Sequence, residues 1–385
     1  MEHLGIDEDV LIERGGINTA REIEGQPALW KKTWQKLANE SETISSFLAE
    51  TLPKVQRIIL TGAGTSAFVG LSLKGKYQKA FGKITEVIPT TDLVSNPEDF
   101  LIRKIPTLMI SFARSGNSPE SVAAVVLADN HINQCHHLFI TCDPTGKLAH
   151  HKTHQKNHLF LLPGEANDKS LAMTGSYSSM LLAGLLIAEI NLIREYELIV
   201  NTLSEISQRF ISTNFCTIRQ IAEVDFDRAV FLGSGPLYGV ATESHLKVQE
   251  LTDGKVICKH ETFLGFRHGP KAVTNNKALI IYLLSNNSYV RKYENDLIHS
   301  MAKGQHALME AGVSETCFNE LPLDHFLYFS DDKASLTDEY FCIACILPAQ
   351  LLGFFKSWNL GLSPDAPSTS GAISRVVEGV KIYEM

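Results

Sequence analysis

Short apolar runs alternate with longer stretches of helical character along most of the chain. The runs at 56–61, 85–89, 106–111, 137–141 and 158–162 read as strands, as do 228–232, 278–283 and 341–347. Each is a compact aliphatic or β-branched segment bounded by turn residues. Between them the pattern predicts helices at 66–80, 118–129, 174–195 and 237–251. Strands that alternate with helices favour parallel sheets covered on both faces, so the expected class is α/β.

The pattern also repeats. Arg57-Ile-Ile-Leu-Thr-Gly-Ala-Gly64 matches Arg228-Ala-Val-Phe-Leu-Gly-Ser-Gly235 at an offset of 171 residues. The same offset carries Leu108-Met-Ile-Ser111 onto Leu279-Ile-Ile-Tyr282. Two strand-turn units in one register predict a duplicated α/β domain, with the boundary at 195–225 inside a helical connection. The copies diverge after the second matched strand. The first continues Arg114-Ser-Gly-Asn-Ser118 and the second Ser285-Asn-Asn-Ser288, so the serine-glycine turn is expected in the first copy alone.

That turn carries the clearest chemistry. In Ser111-Phe-Ala-Arg-Ser-Gly-Asn-Ser-Pro-Glu-Ser121, a buried strand runs into hydroxyls and a glycine, and a helix begins at Pro119 with Ser118 as its N-cap. Backbone N–H groups at a helix start, together with hydroxyls, suit a small phosphate group, and no Walker lysine follows. The G-x-G at Gly62-Ala-Gly64 lacks the third glycine and the acidic ribose partner of a dinucleotide site, so no nicotinamide cofactor is expected.

Composition narrows the partners. The 43 acidic and 35 basic side chains give a net charge of −8, with no basic stripe to bind nucleic acid. Met1–Asp9 is acidic and has no apolar core, so no signal peptide is expected there. The longest apolar stretch, Met180 to Ile193, is too short for a membrane span and contains Glu189. Seven scattered cysteines fit a reduced, cytoplasmic protein, with Cys342 and Cys345 read as core thiols. His150, His151, His154 and His158 lack a partner set at ligand spacing, so no metal is expected.

These motifs carry a family resemblance. Gly62-Ala-Gly64-Thr65-Ser66 with Ser115-Gly-Asn-Ser118 resembles the phosphosugar loops of sugar isomerase (SIS) domains. Glu243-Ser-His-Leu-Lys247-Val-Gln-Glu250 followed by His268-Gly-Pro270 resembles the isomerase half of glucosamine-6-phosphate synthase. Thr19–Trp30 and the tail Pro364–Tyr383 are similar to the branch of tagatose-6-phosphate ketose/aldose isomerases, also described as D-galactosamine-6-phosphate deaminases. The resemblance implies two tandem SIS domains, each a flavodoxin-like parallel sheet flanked by helices in an α-β-α sandwich. It divides the chain into a helical segment 1–45, a phosphate-binding domain 46–205 and a second domain with the tail, 206–385.

The implied reaction is isomerisation of an amino-hexose 6-phosphate with loss of ammonia, D-galactosamine 6-phosphate giving tagatose 6-phosphate. A plain ketose/aldose isomerase and a non-catalytic sugar-phosphate-binding regulator are the alternatives. No cysteine near residue 1 supports a glutaminase half, and no helix-turn-helix segment is expected before the repeat. No cofactor is implied. The partners implied are the hexosamine or hexose 6-phosphate and a second copy of the chain, in a homodimer or larger oligomer with a shared site.

Proton transfer between C1 and C2 needs one base that reaches both carbons, and Glu250 is the candidate. Glu243, Lys247 and Glu250 share a helix face, so Lys247 could hold Glu250 or substrate oxygens; a solvated salt-bridge ladder would show the same spacing. His268 is assigned to ring opening, because imidazole gives and takes protons near neutrality. Ser66, Ser115 and Ser118, with the N–H groups of Arg114 and Gly116, are expected on the phosphate, with one hydroxyl fewer because Ala113 replaces a serine. The Arg114 guanidinium could add a contact to the phosphate or point to solvent. Gly64, Thr65, Thr174 and Arg375 are expected to line the sugar. Arg375 stands nearest to a Schiff-base lysine of the synthase, and arginine cannot form that imine.

Overall fold

The structure is a computed structural model that describes residues 1–317, 320–377 and 379–383. It contains two five-stranded parallel sheets. The first is built from β1 (Arg57–Thr61), β2 (Ile84–Val87), β3 (Thr107–Ala113), β4 (Cys135–Thr141) and β5 (Asn157–Leu161), in the order β2-β1-β3-β4-β5. The second is built from β6 (Arg228–Leu232), β7 (Ile257–Glu261), β8 (Ala278–Leu283), β9 (Met309–Thr316) and β10 (His325–Ser330), in the order β7-β6-β8-β9-β10. The two orders are the same, so the duplication extends to topology, and each sheet has the flavodoxin-like arrangement.

The chain forms two compact units. One holds the second sheet and comprises Met1–Pro27, Lys169–Thr174 and Asn201–Ala372. The other holds the first sheet and comprises Ala28–Asp168, Gly175–Val200 and the tail from Ile373. Each has its own core. Ile59, Met109 and Phe139 meet Leu93 and Val125 in the first-sheet unit, and Val230, Ile280 and Tyr282 meet Phe263, Phe266 and Leu297 in the other. These strand residues are apolar on both faces because helices cover both faces of a parallel sheet.

Several expected and observed elements coincide. The helices Thr65–Phe81, Pro119–His131 and Pro236–Leu251 stand where the pattern places them. The helical run expected at 174–195 is an α-helix Gly175–Ile187 followed by a 3-10 segment Ile190–Tyr196. Every residue of Gly175–Ile187 is buried, which is why that stretch shows no amphipathic period.

One strand assignment is corrected. Residues 341–347 are helical, shared between Asp338–Ala344 and Leu347–Asn359. A continuous apolar run carries no period to separate a buried helix from a buried strand, and Pro348 at the start of the second helix is the decisive local signal. The run Asp338–Asn359 is long and apolar enough to cross a membrane by composition, and it is wholly buried inside the fold. Cys342 and Cys345 are buried within it as free thiols.

The G-x-G turns are duplicated to within a few degrees. Gly64 has φ 53° and ψ −127°, and Gly235 has φ 57° and ψ −126°, a region closed to most side chains. The glycine two residues earlier is fixed by contact: a Cβ on Gly62 would lie 2.6 Å from the carbonyl carbon of Ser66, and one on Gly233 would lie 2.3 Å from the Leu237 oxygen. Each strand end is thereby pressed onto the first turn of the following helix. Gly62→Ala is expected to destabilise the protein by about 1–3 kcal/mol through overpacking. Gly25→Ala, on an exposed helical position with nothing within 4 Å, is expected to stabilise it by about 0.5–1 kcal/mol. Urea midpoints measured at unchanged slope will show the opposite signs.

Candidate active site

The serine-glycine loop forms at the carboxyl ends of two neighbouring strands. β1 and β3 pair in parallel with Thr61 opposite Ser111, and the chain leaves them toward opposite edges of the sheet, through β2 and β4. That is the switch point at which open α/β sheets bind ligands. Two helix N-termini open there, Thr65–Phe81 after β1 and Pro119–His131 after β3. Their leading N–H groups have no partner within the helix and attract an anion.

The serine-glycine turn is held from behind. Gly116 adopts φ 62°, and its carbonyl accepts from the Leu148 N–H at 3.0 Å. Asn117 Oδ1 accepts from the Lys147 N–H at 3.1 Å. The Ser115 hydroxyl accepts from the Asn117 N–H at 3.2 Å. A Cβ on Gly146 would stand 2.2 Å from the Ser115 oxygen, so the segment 143–148 fits the loop closely. Ser118 is at the N-cap position as expected, and its hydroxyl makes no capping bond. Thr65 and Ser66 lie in the first turn of the neighbouring helix, largely buried.

The two arginines make protein contacts. Arg114 donates from Nη2 to the Arg375 carbonyl. Arg375 donates from Nε to the Asp168 carbonyl at 2.9 Å and from Nη2 to Asn167 Oδ1 at 2.8 Å. The Asp168 carboxylate accepts from the N–H groups of Gly175 and Ser176, each at 3.0 Å, and so caps the helix Gly175–Ile187. Loop, tail and helix cap are therefore one hydrogen-bonded chain. The sequence offered no signal for it, because Asp168 stands seven residues before the helix it caps and Arg375 bonds to main-chain oxygen.

Thr174 belongs to the second-sheet unit and is fully buried. Its segment is tied down by Glu22, which accepts from the Lys169 N–H at 2.5 Å, and by the Asp365 carbonyl, which accepts from the Leu171 N–H at 2.9 Å. The Asp365 carboxylate also accepts from the N–H groups of Asn18 and Thr19, at 3.1 and 2.7 Å, at the start of the helix Ile17–Thr51.

In the second-sheet unit, Glu243, Lys247 and Glu250 line one face of the helix Pro236–Leu251. Lys247 Nζ lies 2.5 Å from Glu250 Oε2 and 3.4 Å from Glu243 Oε1. The face is not a solvated ladder. The side chains of Glu243 and Lys247 are 0% and 1% exposed, whereas that of Glu250 is 23% exposed. A buried ammonium between two carboxylates carries a large desolvation cost, and charges held in this way cluster at functional sites. Glu250 is the one member of the trio that solvent reaches. His245, on the same helix, lies 3.1 Å from His260 Nδ1 to Nδ1. Burial lowers the pKa of both rings, that of His260 to about 4.

His268 sits on an exposed, well-anchored turn. The preceding helix Phe263–Phe266 buries both phenylalanines, and the Thr262 hydroxyl caps it by accepting from the Gly265 N–H at 2.9 Å. His268 N–H donates to the Gly265 carbonyl at 2.9 Å, Gly269 takes φ 114°, and Pro270 opens the next 3-10 turn. The histidine cluster at 150–158 does not converge. His150 and His154 are exposed, while His158 on β5 packs its ring 5.6 Å from that of Phe47. Among the described residues, no group of three or more His, Cys, Asp or Glu side chains is placed to hold a metal ion.

The family model of the SIS domain matches residues 51–190, which contain the first sheet and the serine loop. The D-galactosamine-6-phosphate deaminase AgaS of Shewanella sp. (strain ANA-3) is 39% identical over 387 residues, covering 99% of this chain and 95% of the relative. The protein of the same name from Escherichia coli O157:H7 is 35% identical and covers 96% of each chain. The crystal structure of tagatose-6-phosphate ketose/aldose isomerase from Escherichia coli superposes with a TM-score of 0.87 at 32% identity, over 96% of this chain and 97% of that one. The chain belongs to the SIS-domain family, in the branch whose curated members are named D-galactosamine-6-phosphate deaminase AgaS.

Proposed function

We propose that this enzyme converts D-galactosamine 6-phosphate and water to tagatose 6-phosphate and ammonia. The observation that carries the reading is the buried Glu243–Lys247 pair with Glu250 held at the solvent edge of the same face. The names of the full-length relatives supply the substrate class.

The serine loop takes the 6-phosphate. The hydroxyls of Ser66, Ser115 and Ser118 and the N–H groups of Arg114 and Gly116 are the donors, with Gly64 and Thr65 beside them. Hydrogen bonds to a charged group are each worth about 1.5–3 kcal/mol. Arg114 and Arg375 contribute by fixing the tail to the loop and to Asn167–Asp168, and Thr174 by its place in the segment anchored by Glu22.

His268 opens the ring by moving a proton from O1 to O5. Glu250 then takes the C2 proton of the aldehyde, and O1 takes a proton from the C2 ammonium, leaving an enolamine across C1 and C2. The same carboxyl returns the proton to C1, so the nitrogen on C2 becomes an iminium. Water adds at C2, and ammonia leaves as the ketone forms. Lys247 orients the Glu250 carboxylate through their 2.5 Å ion pair, and Glu243 balances Lys247. We assign the enzyme a homo-oligomeric state, which suits an exposed His268, and a cytoplasmic location, which suits seven free cysteines.

Glu250→Gln is expected to lower kcat by about 10²–10⁴ while KM changes little, as fits loss of a general base. Ammonia release followed by a coupled assay measures this, and wild-type turnover in the variant would remove Glu250 from the role. Ser115→Ala is expected to lower kcat/KM by about 10–100-fold, mainly through KM, because the lost contact is made in ground and transition states alike. A second reading, a ketose/aldose isomerase without deamination, is favoured by the name of the Escherichia coli structure. Isomerisation of a hexose 6-phosphate with no ammonia from galactosamine 6-phosphate would select it. Faster release from glucosamine 6-phosphate would reassign the epimer.

A further inference from the structure

The second sheet repeats the phosphate cradle more fully than its sequence suggests. Ser285 stands two residues beyond β8, as Ser115 stands two residues beyond β3. Its hydroxyl accepts from the Asn287 N–H at 3.0 Å, the bond that Ser115 makes to Asn117 at 3.2 Å. A helix, Ser288–Ala302, then begins, N-capped by the Asn287 side chain. The glycine is lost in this copy, but the serine turn is kept.

This cradle holds an anion from the protein itself. The Asp338 carboxylate accepts from the Asn286 N–H at 2.7 Å and from the Ser285 hydroxyl. Asp338 lies more than fifty residues away along the chain, at the start of the helix Asp338–Ala344. The rest of the turn is tied in as well. The Ser285 N–H donates to Glu294 at 2.9 Å, its carbonyl accepts from Arg291 at 2.9 Å, and Asn286 Nδ2 donates to Glu315 at 2.5 Å and to the Leu336 carbonyl at 2.9 Å. Among the described residues, the hydrogen bonds of 115–118 in the first sheet involve no carboxylate.

We propose that Asp338 is a built-in anion that occupies the second sheet's phosphate cradle, so that each chain keeps one exchangeable phosphate site. A carboxylate presents two acceptor oxygens to one N–H and one hydroxyl, as a phosphate would, and carries the negative charge that a helix start favours. Being covalently attached, it binds without loss of translational freedom and excludes a free phosphate.

Removal of the carboxylate should leave a site that a small carboxylate can refill. Asp338→Ala is expected to melt below the parent, and formate at matched ionic strength is expected to raise its Tm saturably while leaving the parent unmoved. Inorganic phosphate in a parallel titration shows whether the larger anion also enters. Asp338→Asn keeps an acceptor and fills the space, so its Tm should not respond to formate. An Asp338→Ala protein that ignores both anions, or a parent or Asn variant that responds equally, would overturn the proposal. If Asp338→Ala is recovered only unfolded, the yield on refolding from urea with and without formate gives the same decision. The readout is stability, so it stands or falls separately from the assignment of the reaction.

Discussion

A parallel strand cannot turn directly into its neighbour, and that constraint organises everything else in this chain. Each strand must be followed by a crossover, and each crossover delivers a helix N-terminus to the carboxyl edge of its sheet. Where successive crossovers leave on opposite sides, N–H groups are left facing open space and need an acceptor. The duplicated topology creates that demand twice. In the first sheet the sequence answers with hydroxyls and a glycine, the donor set to which we assign the phosphate. In the second it answers with a carboxylate from its own helix. The repeated topology thus leaves the same physical obligation in both halves, and the local sequence decides how each is met.

The parts of this design that were legible from sequence are those set by local geometry. Arg57–Thr61 and Thr107–Ala113 read as strands because they are buried on both faces and end in glycine or serine turns. Ile257–Glu261 did not, because as an edge strand it carries Lys259, His260 and Glu261 and has no apolar continuity. Met309–Thr316 was hidden by Glu310 and Glu315, whose charges are met by tertiary partners. Tyr282 donates to Glu310 at 2.5 Å, and the Ser335 N–H donates to Glu315 at 2.7 Å. Local pattern cannot register a partner that folding brings from elsewhere.

The arginines show the same limit at the candidate site. Arg114 follows the strand that leads into the phosphate loop, and a cation beside a phosphate is a reasonable expectation from residue type alone. Its observed bond is to a carbonyl of the tail, and the matching arginine of the tail bonds to a carbonyl next to a helix cap. Guanidinium groups also bond to main-chain oxygen, and the path of the tail brings such oxygen to Arg114. The consequence is mechanical: the serine-glycine loop is braced by the tail through Arg375.

The charged trio on Pro236–Leu251 shows what spacing conveys and what it omits. Positions i, i+4 and i+7 place three side chains on one face in any helix, whether that face meets water or the protein interior. Burial decides the meaning. On a wet surface the pairs would contribute a few tenths of a kcal/mol each. Here Glu243 and Lys247 are sealed in, where a lone charge would cost several kcal/mol, so the pairing of each with its neighbours matters far more than on a surface. Glu243 therefore holds Lys247, Lys247 holds Glu250, and the accessible carboxylate at the end of that series is fixed in position. A group that is to act on two adjacent atoms from one face needs fixity of that kind.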